Sequence, residues 1–231
     1  MAATPVTPPD TRSEQFVPTA DELAAFESAH PLDILRWAGE RFGADLVVTA
    51  SFGDALLPHL VSRALPDAEV VLLDTGYLFA ETLWYAEQLR NDFGLNLRII
   101  SPPADAEPNL WQRDTTACCA ARKVDPLVAV LAERRAWITG LRRADSPSRA
   151  DAPIVHYDPF KDIVKINPIA TWTDADVDHY AAMELLPANP LTERGYASIG
   201  CWPCTRPVKD GEDARAGRWA GSDKTECGLH L

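Results

Sequence analysis

The sequence lacks the features of membrane-spanning, secreted and nucleic-acid-binding proteins. No apolar run approaches the roughly 18 residues of a membrane-spanning helix. Basic residues are few, since 22 Lys and Arg stand against 34 Asp and Glu and give a formal net charge of −12. Such a surface repels phosphate backbones, so we expect no general nucleic-acid binding. Residues 1–18 contain one basic residue, Arg12, and no signal-peptide pattern, which predicts a disordered leader on a cytoplasmic protein.

Cysteine is also scarce, with five residues in a chain of 231. An odd count in a cytoplasmic chain indicates metal binding or catalysis more than disulfide bonds. The chain does not need disulfides for stability, because its length and its 46% of hydrophobic residues are those of an ordinary globular domain.

Short, continuously apolar runs alternate with helical patterns along most of the chain. Strands are predicted at 46–50, 70–73, 97–100, 136–139 and 163–166. Predicted helices begin after the capping boxes Thr19-x-x-Glu22 and Thr173-x-x-Asp176, and also at Pro31 and Asp125. This alternation predicts an α/β fold with a parallel sheet and helices on both faces.

Residues 19–190 form the predicted nucleotide-binding α/β domain, and 191–231 a functional segment of the same domain. In open α/β sheets, ligands bind beyond the carboxyl ends of the strands. Three chemically suggestive loops follow predicted strands there: Ser51-Phe52-Gly53, Asp74-Thr75-Gly76 and Gly140-Leu141-Arg142-Arg143.

Two cysteine pairs indicate a metal site. Cys201 and Cys204 form a C-x-x-C motif, and Cys118 and Cys119 are adjacent. Four thiolates suit a structural zinc ion or an iron–sulfur cluster. Neighbouring side chains point apart, which favours a cluster with separate iron atoms; zinc and incidental buried cysteines stay open as alternatives. Nearby cations that would stabilise such an anionic cluster are Arg122, Lys123 and Arg206.

The fifth cysteine, Cys227, lies near the end of the sequence beside a glycine. A thiol in such a segment is accessible and mobile, and basic neighbours would lower its pKa. The local candidates are Arg215, Arg218 and Lys224. Cys227 is therefore a candidate nucleophile, with an unused thiol as the alternative.

Together these segments resemble the iron–sulfur adenosine 5′-phosphosulfate (APS) reductases of assimilatory sulfate reduction, over about residues 30 to 231. The matching motifs are Ser51-Phe52-Gly53, Leu73-Asp74-Thr75-Gly76, Cys118-Cys119-x-x-Arg122-Lys123-Val124, Ile138-Thr139-Gly140-Leu141-Arg142-Arg143, Gly195 to Thr205 with its C-x-x-C, Gly217-Arg218-Trp219 and Glu226-Cys227-Gly228-Leu229-His230. The double-cysteine segment and the final motif are the most specific of these.

The resemblance implies a fold similar to ATP pyrophosphatases and other adenine-nucleotide α-hydrolases, with a five-stranded parallel sheet. It also implies reduction of APS to sulfite and AMP, with thioredoxin as the electron donor. The implied cofactor is a 4Fe–4S cluster, and its ligands would be Cys118, Cys119, Cys201 and Cys204.

The family's functional residues match positions of this sequence. The substrate-contacting cations would be Lys123, Arg149, Arg215 and Arg218. Gly140 and the backbone at Leu73 would hold the adenosine, and Ser51 would meet the phosphosulfate. We hypothesise that Cys227 attacks the sulfur and becomes an S-sulfocysteine. One departure is Ser51-Phe52-Gly53-Asp54-Ala55, where many members carry Ser-Phe-Ser-Gly.

Three other functions are left open by the sequence. The protein could reduce the 3′-phosphorylated substrate (PAPS), alone or together with APS. An ATP pyrophosphatase that adenylates its substrate normally carries Ser-Gly-Gly-x-Asp-Ser, which residues 51–55 lack. A non-catalytic iron–sulfur redox sensor would use the same cysteines but not the nucleotide-type loops. Family members are often dimers or tetramers, but no interface can be read from the sequence.

Overall fold

The computed structural model describes residues 18–220, 224 and 226–229. The leader predicted at 1–18 lies outside the described residues except for its last position, and so does His230 of the final motif.

Seven α-helices and six β-strands make up the described part of the chain. The helices are α1 (Ala20–Phe26), α2 (Pro31–Phe42), α3 (Leu56–Ala64), α4 (Ala80–Phe93), α5 (Thr115–Cys119), α6 (Asp125–Leu131) and α7 (Asp174–Met183). The strands are β1 (Leu46–Thr49), β2 (Glu69–Leu73), β3 (Asn96–Ile100), β4 (Ala136–Thr139), β5 (Val155–Asp158) and β6 (Ile163–Ile166). Both predicted capping boxes are present, at the starts of α1 and α7.

The strands form one sheet in the order β3-β2-β1-β4-β6-β5. The five predicted strands are all present and pair in parallel, with Val48 opposite both Val70 and Ile138. The expectation of five strands, all parallel, is wrong in one respect: a sixth strand, β5, pairs antiparallel with β6 at the edge. Only its first residue, Val155, is buried, so β5 lacks the continuous apolar run by which the other strands were predicted.

Apolar side chains cover both faces of the sheet. The larger cluster packs α2, α3 and α4 against one face and includes Leu35, Leu60 and Leu89. The smaller cluster packs α6 against the other face around Trp137, and Leu229 of the C-terminal segment contacts it. No helix of the described ranges is both long enough and apolar enough to span a membrane.

The chain reverses direction across the sheet between β1 and β4. From β1 it proceeds outward to β2 and β3, whereas β4 and β6 lie on the other side of β1. Such a switch point leaves a crevice beyond the carboxyl ends of the two strands. The loops that begin at Ser51 and Gly140 follow these ends, so the topology places both beside the crevice.

A buried lysine lies on the face covered by the smaller cluster. Lys165 in β6 is 5% exposed, and its Nζ lies 4.8 Å from the centre of the Trp137 ring. Burial lowers the pKa of Lys165 to about 8 from 10.5, and Lys161 and Arg149 add to this effect. The folded state therefore binds the Lys165 proton less tightly than the unfolded chain does. Below pH 8 the lysine is charged in both states, so the full cost of burying its charge lowers the free energy of unfolding.

We expect Lys165→Met to raise the free energy of unfolding by about 2 kcal/mol at pH 7, since it removes a desolvated charge and retains much of the length. The gain should shrink as the pH rises from 8 towards 10.5, where the lysine becomes neutral in both states. Urea unfolding at several pH values measures this, with the exposed Lys209→Met as the matched control. A loss of stability at pH 7 would show that the cation–ring contact outweighs desolvation.

Candidate active site

The adjacent cysteines lie at the end of a short helix. Asp114 caps α5, since its side chain accepts hydrogen bonds from the backbone N–H groups of Thr116 and Ala117. Cys118 and Cys119 are its last residues, and a π-helical turn, Ala120–Val124, follows directly. Successive helical residues point about 100° apart, so the two thiols leave the helix in different directions.

The C-x-x-C pair is held by the loop that follows β2. Cys201 forms an isolated bridge with Leu78, and the Trp202 N–H donates to the Tyr77 carbonyl at 2.8 Å. Trp202–Cys204 is a single 3-10 turn. These contacts fix Cys201 and Cys204 at the same edge of the sheet as α5.

The loop after β2 also contacts a thiol directly. The Thr75 hydroxyl lies 3.2 Å from the Cys201 Sγ, and the Thr75 residue is buried. Arg122 fixes this loop, because its guanidinium donates to the Thr75 carbonyl at 3.0 Å and lies over the Tyr77 ring. Gly76 has a φ of +73°, and a Cβ there would be 3.3 Å from Arg122. The tight turn and the close arginine together explain why glycine follows Thr75.

All four paired cysteines line one partly open cavity. Two of the predicted substrate cations, Lys123 and Arg218, line it as well, and so does Arg122. The aromatic residues in its wall are Tyr77, Trp111 and Trp219. The structure thus brings together the predicted metal ligands and cations from three separate segments of the chain.

The thiols of this cavity affect each other's ionisation. Burial raises the pKa of Cys204 to about 11, and Cys201, Cys119 and Cys118 add to the shift. Burial likewise raises the pKa of Cys118 and of Cys119, while Lys224 and Lys123 oppose the shift at Cys119. At Cys118, Cys119 and Cys204 the protonated thiol is therefore favoured unless a cation or metal compensates the charge.

Basic side chains surround the cysteines, with one exception to the expectation. Arg122 and Lys123 line the cavity, whereas Arg206 does not. Arg206 donates to Glu212 at 2.8 Å and to the Pro207 carbonyl. A carboxylate beside it neutralises its charge, so the predicted role of Arg206 near the cysteines is not supported.

Arg218 lies against the backbone opposite the C-x-x-C motif. It forms an isolated bridge with Thr205, and the Trp219 N–H donates to the Cys204 carbonyl at 2.9 Å. Its guanidinium lies over the Trp219 ring and donates to the Ile199 carbonyl at 3.1 Å. Its Nε is buried without a hydrogen-bond partner among the described residues. The residue lines the cysteine cavity, so its charge acts on an anion bound there.

The C-terminal segment lies across the site. Cys227 is half-buried, and its charge raises the pKa of Cys119, although burial is the larger cause there. The carboxylate of Glu226 binds Arg149 through Nε at 2.9 Å and Nη2 at 2.7 Å, and lies 3.5 Å from Arg215. Two more of the predicted substrate cations, Arg149 and Arg215, are therefore joined by one carboxylate.

The predicted adenosine and phosphosulfate contacts lie at the carboxyl ends of the strands. Ser51 lies two residues beyond β1, Leu73 ends β2 and Gly140 follows β4. Ser51 and Gly140 are exposed, whereas Leu73 is buried. None of the three lines the cysteine cavity.

Residues 45–207, more than half of the chain, match the model of the phosphoadenosine phosphosulfate reductase domain. The chain belongs to this family. A relative named adenosine 5′-phosphosulfate reductase, from Streptomyces coelicolor, is 51% identical over 227 residues, and the match covers 92% of this chain and 96% of the relative. The resemblance indicated by the sequence motifs is thereby confirmed.

Solved structures show the same fold. Phosphoadenylyl-sulfate reductase from Candida auris, in a phosphate complex, has a TM-score of 0.69 at 24% identity, covering 83% of this chain and 98% of that chain. An NH₃-dependent NAD synthetase from Campylobacter jejuni has a TM-score of 0.53 at 17% identity, covering 75% and 78%. These two solved structures confirm the predicted likeness to nucleotide-binding α/β folds.

The sequence analysis assigned no role to two residues that contact the site. Thr75 contacts Cys201, and Glu226 binds Arg149. Lys224, a predicted basic neighbour of Cys227, donates to the Thr116 hydroxyl at 3.2 Å. Thr75 and Glu226 stand inside the motifs that carried the resemblance, which was the available signal. Their partners lie 126 and 77 residues away, so no local pattern indicated which groups they contact.

Proposed function

We propose that this protein reduces APS to sulfite and AMP through a covalent intermediate on Cys227 that thioredoxin resolves. The observation that carries this proposal is the position of Cys227: the residue before it, Glu226, binds Arg149, and the residue after it, Gly228, lies against Val124, next to Lys123. Relatives over nearly the whole chain bear the name of this activity.

The four paired cysteines would hold a 4Fe–4S cluster. In the described ranges, no three His, Cys, Asp or Glu side chains are grouped so that they could hold a metal ion. Support for the cluster comes instead from the donor set: four thiols from two segments around one cavity, with Arg122 and Lys123 beside them. Thiolate donors of this number are the usual ligands of such clusters. When bound, the cluster would order these segments and adjust the field around Lys123.

The first step is displacement at sulfur. The Cys227 thiolate attacks the sulfur of the sulfate group, a sulfur–sulfur bond forms, and the bond from sulfur to the phosphate oxygen breaks. AMP leaves with the electron pair of that bond, and Cys227 becomes an S-sulfocysteine. Since the nucleophile and the group attacked are both anionic, fixed cations must lower the barrier.

The cations required for this step are present around the cavity. Lys123 and Arg218 line it, and Arg149 and Arg215 meet at the residue before Cys227. Guanidinium groups suit phosphate and sulfate because they donate two parallel hydrogen bonds. Arg218 lines the cavity, and its guanidinium would bind an oxygen of the phosphosulfate.

Thioredoxin would complete the reaction by thiol exchange. One of its thiolates attacks the Cys227 sulfur, sulfite leaves with the electron pair, and a mixed disulfide forms. The second thioredoxin thiol then releases Cys227, so that thioredoxin is oxidised to its disulfide and the transferred sulfur gains two electrons. The five described cysteines are free, as expected in the cytoplasm, where thioredoxin keeps thiols reduced.

An anaerobic assay of labelled APS with reduced thioredoxin, run beside iron and sulfide determination, tests this function. We expect thioredoxin-dependent sulfite and about four irons per chain. A parallel assay with labelled PAPS is needed because the family description and the Candida auris neighbour name that nucleotide. Turnover of PAPS alone, or sulfite formation without dependence on thioredoxin, would contradict the proposal.

A further inference from the structure

Glu226, the residue before Cys227, occupies the cations at the edge of the site. Its two carboxylate oxygens accept hydrogen bonds from Arg149 Nε at 2.9 Å and Nη2 at 2.7 Å. Arg215 approaches the same carboxylate at 3.5 Å, and the Ser146 hydroxyl lies 3.4 Å from it. The side chains of Glu226 and Arg149 are only 13% and 12% exposed. The ion pair is therefore largely shielded from solvent and contains two hydrogen bonds, a geometry that fixes the position of both side chains.

The carboxylate at this place is ionised. Burial alone would raise the pKa of Glu226, but the hydrogen bonds and charge of Arg149, followed by the charge of Arg215, lower it below the usual value. A second acidic group, Asp145, accepts from the remaining side of Arg149 at 3.1 Å. Arg149 therefore donates to two carboxylates: its Nη1 binds Asp145, and its Nε and Nη2 bind Glu226.

A guanidinium edge can bind either a carboxylate or two oxygens of a phosphate or sulfate group, so these anions compete for it. We infer that Glu226 is an internal anion that occupies Arg149 and Arg215 in the ligand-free protein and yields them to the phosphosulfate of the bound nucleotide. Glu226 is then the positioning residue of Cys227, because its ion pair docks the segment over the cavity until substrate arrives. The inference rests on the proposed function only in taking Arg149 and Arg215 as substrate contacts.

Other contacts can retain Cys227 at the site during this exchange. On one side, Lys224 donates to the Thr116 hydroxyl at 3.2 Å. On the other side, Leu229 packs against the smaller apolar cluster, and Gly228 lies against Val124. Displacement of Glu226 therefore releases one contact while those of Lys224, Gly228 and Leu229 remain, and the thiol stays beside the incoming sulfate.

The test is to measure how Glu226→Gln changes the binding of three probes to the full-length protein by calorimetry: AMP, inorganic sulfate and adenosine. The neutral amide cannot form the ion pair, so we expect AMP and sulfate to bind about tenfold more tightly, which is about 1.4 kcal/mol. Adenosine has no anionic group and should bind unchanged. Glu212→Gln removes the same charge from the same segment, where the carboxylate pairs with Arg206 instead, and should alter none of the three.

Steady-state kinetics with APS provide a second measurement. Glu226→Gln should lower KM, since the competitor is removed, and leave kcat nearly unchanged, since Glu226 is already displaced in the substrate complex and Lys224 and Leu229 retain Cys227 there. Unchanged or weaker AMP and sulfate binding, or no binding of either probe to the wild type, would overturn the inference. An equal gain in affinity for all three probes would also overturn it, because that result would mean that the C-terminal segment only covers the site. Failure of APS turnover with the expected AMP and sulfate result would reject the proposed function alone.

Discussion

Cys227→Ser is expected to reduce thioredoxin-dependent sulfite release by more than about a thousandfold. Serine has nearly the same volume, so the docked segment should keep its contacts through Glu226 and Leu229. The hydroxyl, however, is not ionised near neutral pH and is a far weaker nucleophile towards sulfur than a thiolate. The loss should therefore fall on the chemical step, and AMP affinity and the brown colour of the proposed cluster should remain.

Mass spectrometry separates this explanation from a structural one. Wild-type protein mixed with APS in the absence of thioredoxin should gain one sulfonate, located on Cys227. The Cys227→Ser variant should bind AMP but gain nothing. Sulfite production at the normal rate by this variant, or a sulfonate on another cysteine of the wild type, would show that Cys227 is not the nucleophile.

The parts of the fold that depend on local pattern could be predicted from the sequence. Continuous apolar runs predicted the five parallel strands, because a strand covered on both faces must be apolar on both sides. The strand Val155–Asp158 was missed since an edge strand buries few residues and its register is set by pairing with Ile163–Ile166. The antiparallel edge thus depends on tertiary contacts that no local pattern reveals.

The candidate site likewise has a part that could be predicted from the sequence and a part that could not. Residue chemistry indicated the four paired cysteines and the resemblance supplied the cations, and the structure places them around one cavity, with Arg149 and Arg215 beside it. What could not be predicted is which groups are paired in the absence of ligand. Arg206 was expected near the cysteines but is neutralised by Glu212, whereas Arg149 holds Glu226. Such pairings depend on side-chain geometry over long sequence separations.

A further consequence concerns the charge of the protein. The chain carries a net charge of −12, yet Lys123, Arg122 and Arg218 converge on one cavity. In an otherwise acidic protein, this local positive field selects small anions over long polyanions such as nucleic acids. It also opposes the mutual repulsion of the cysteine thiolates, so the same cations would serve metal binding and substrate binding.

Arg218→Lys is expected to lower kcat/KM for APS by about a hundredfold although the charge is kept. The Arg218 guanidinium lies over the Trp219 ring, and its buried Nε has no partner within the described residues. A planar group with donors on two edges can satisfy the Ile199 carbonyl and an oxygen of the substrate at once, whereas an ammonium group cannot. Kinetics with APS and calorimetry with AMP measure the change, and the exposed Arg194→Lys, which pairs with Glu81, is the matched control.

Gly200 offers an independent way to move the same guanidinium without altering its chemistry. A Cβ at Gly200 would lie 2.5 Å from Arg218 Nη2 and 2.9 Å from its Nε, so Gly200→Ala must displace the guanidinium. If the exact position of the guanidinium assists the transfer, both variants should lose kcat/KM and retain the iron of the proposed cluster, because neither alters a thiol. If Arg218 supplies only positive charge, Arg218→Lys should remain close to wild type and Gly200→Ala should have a small effect, and the assigned contact to the phosphosulfate would be wrong.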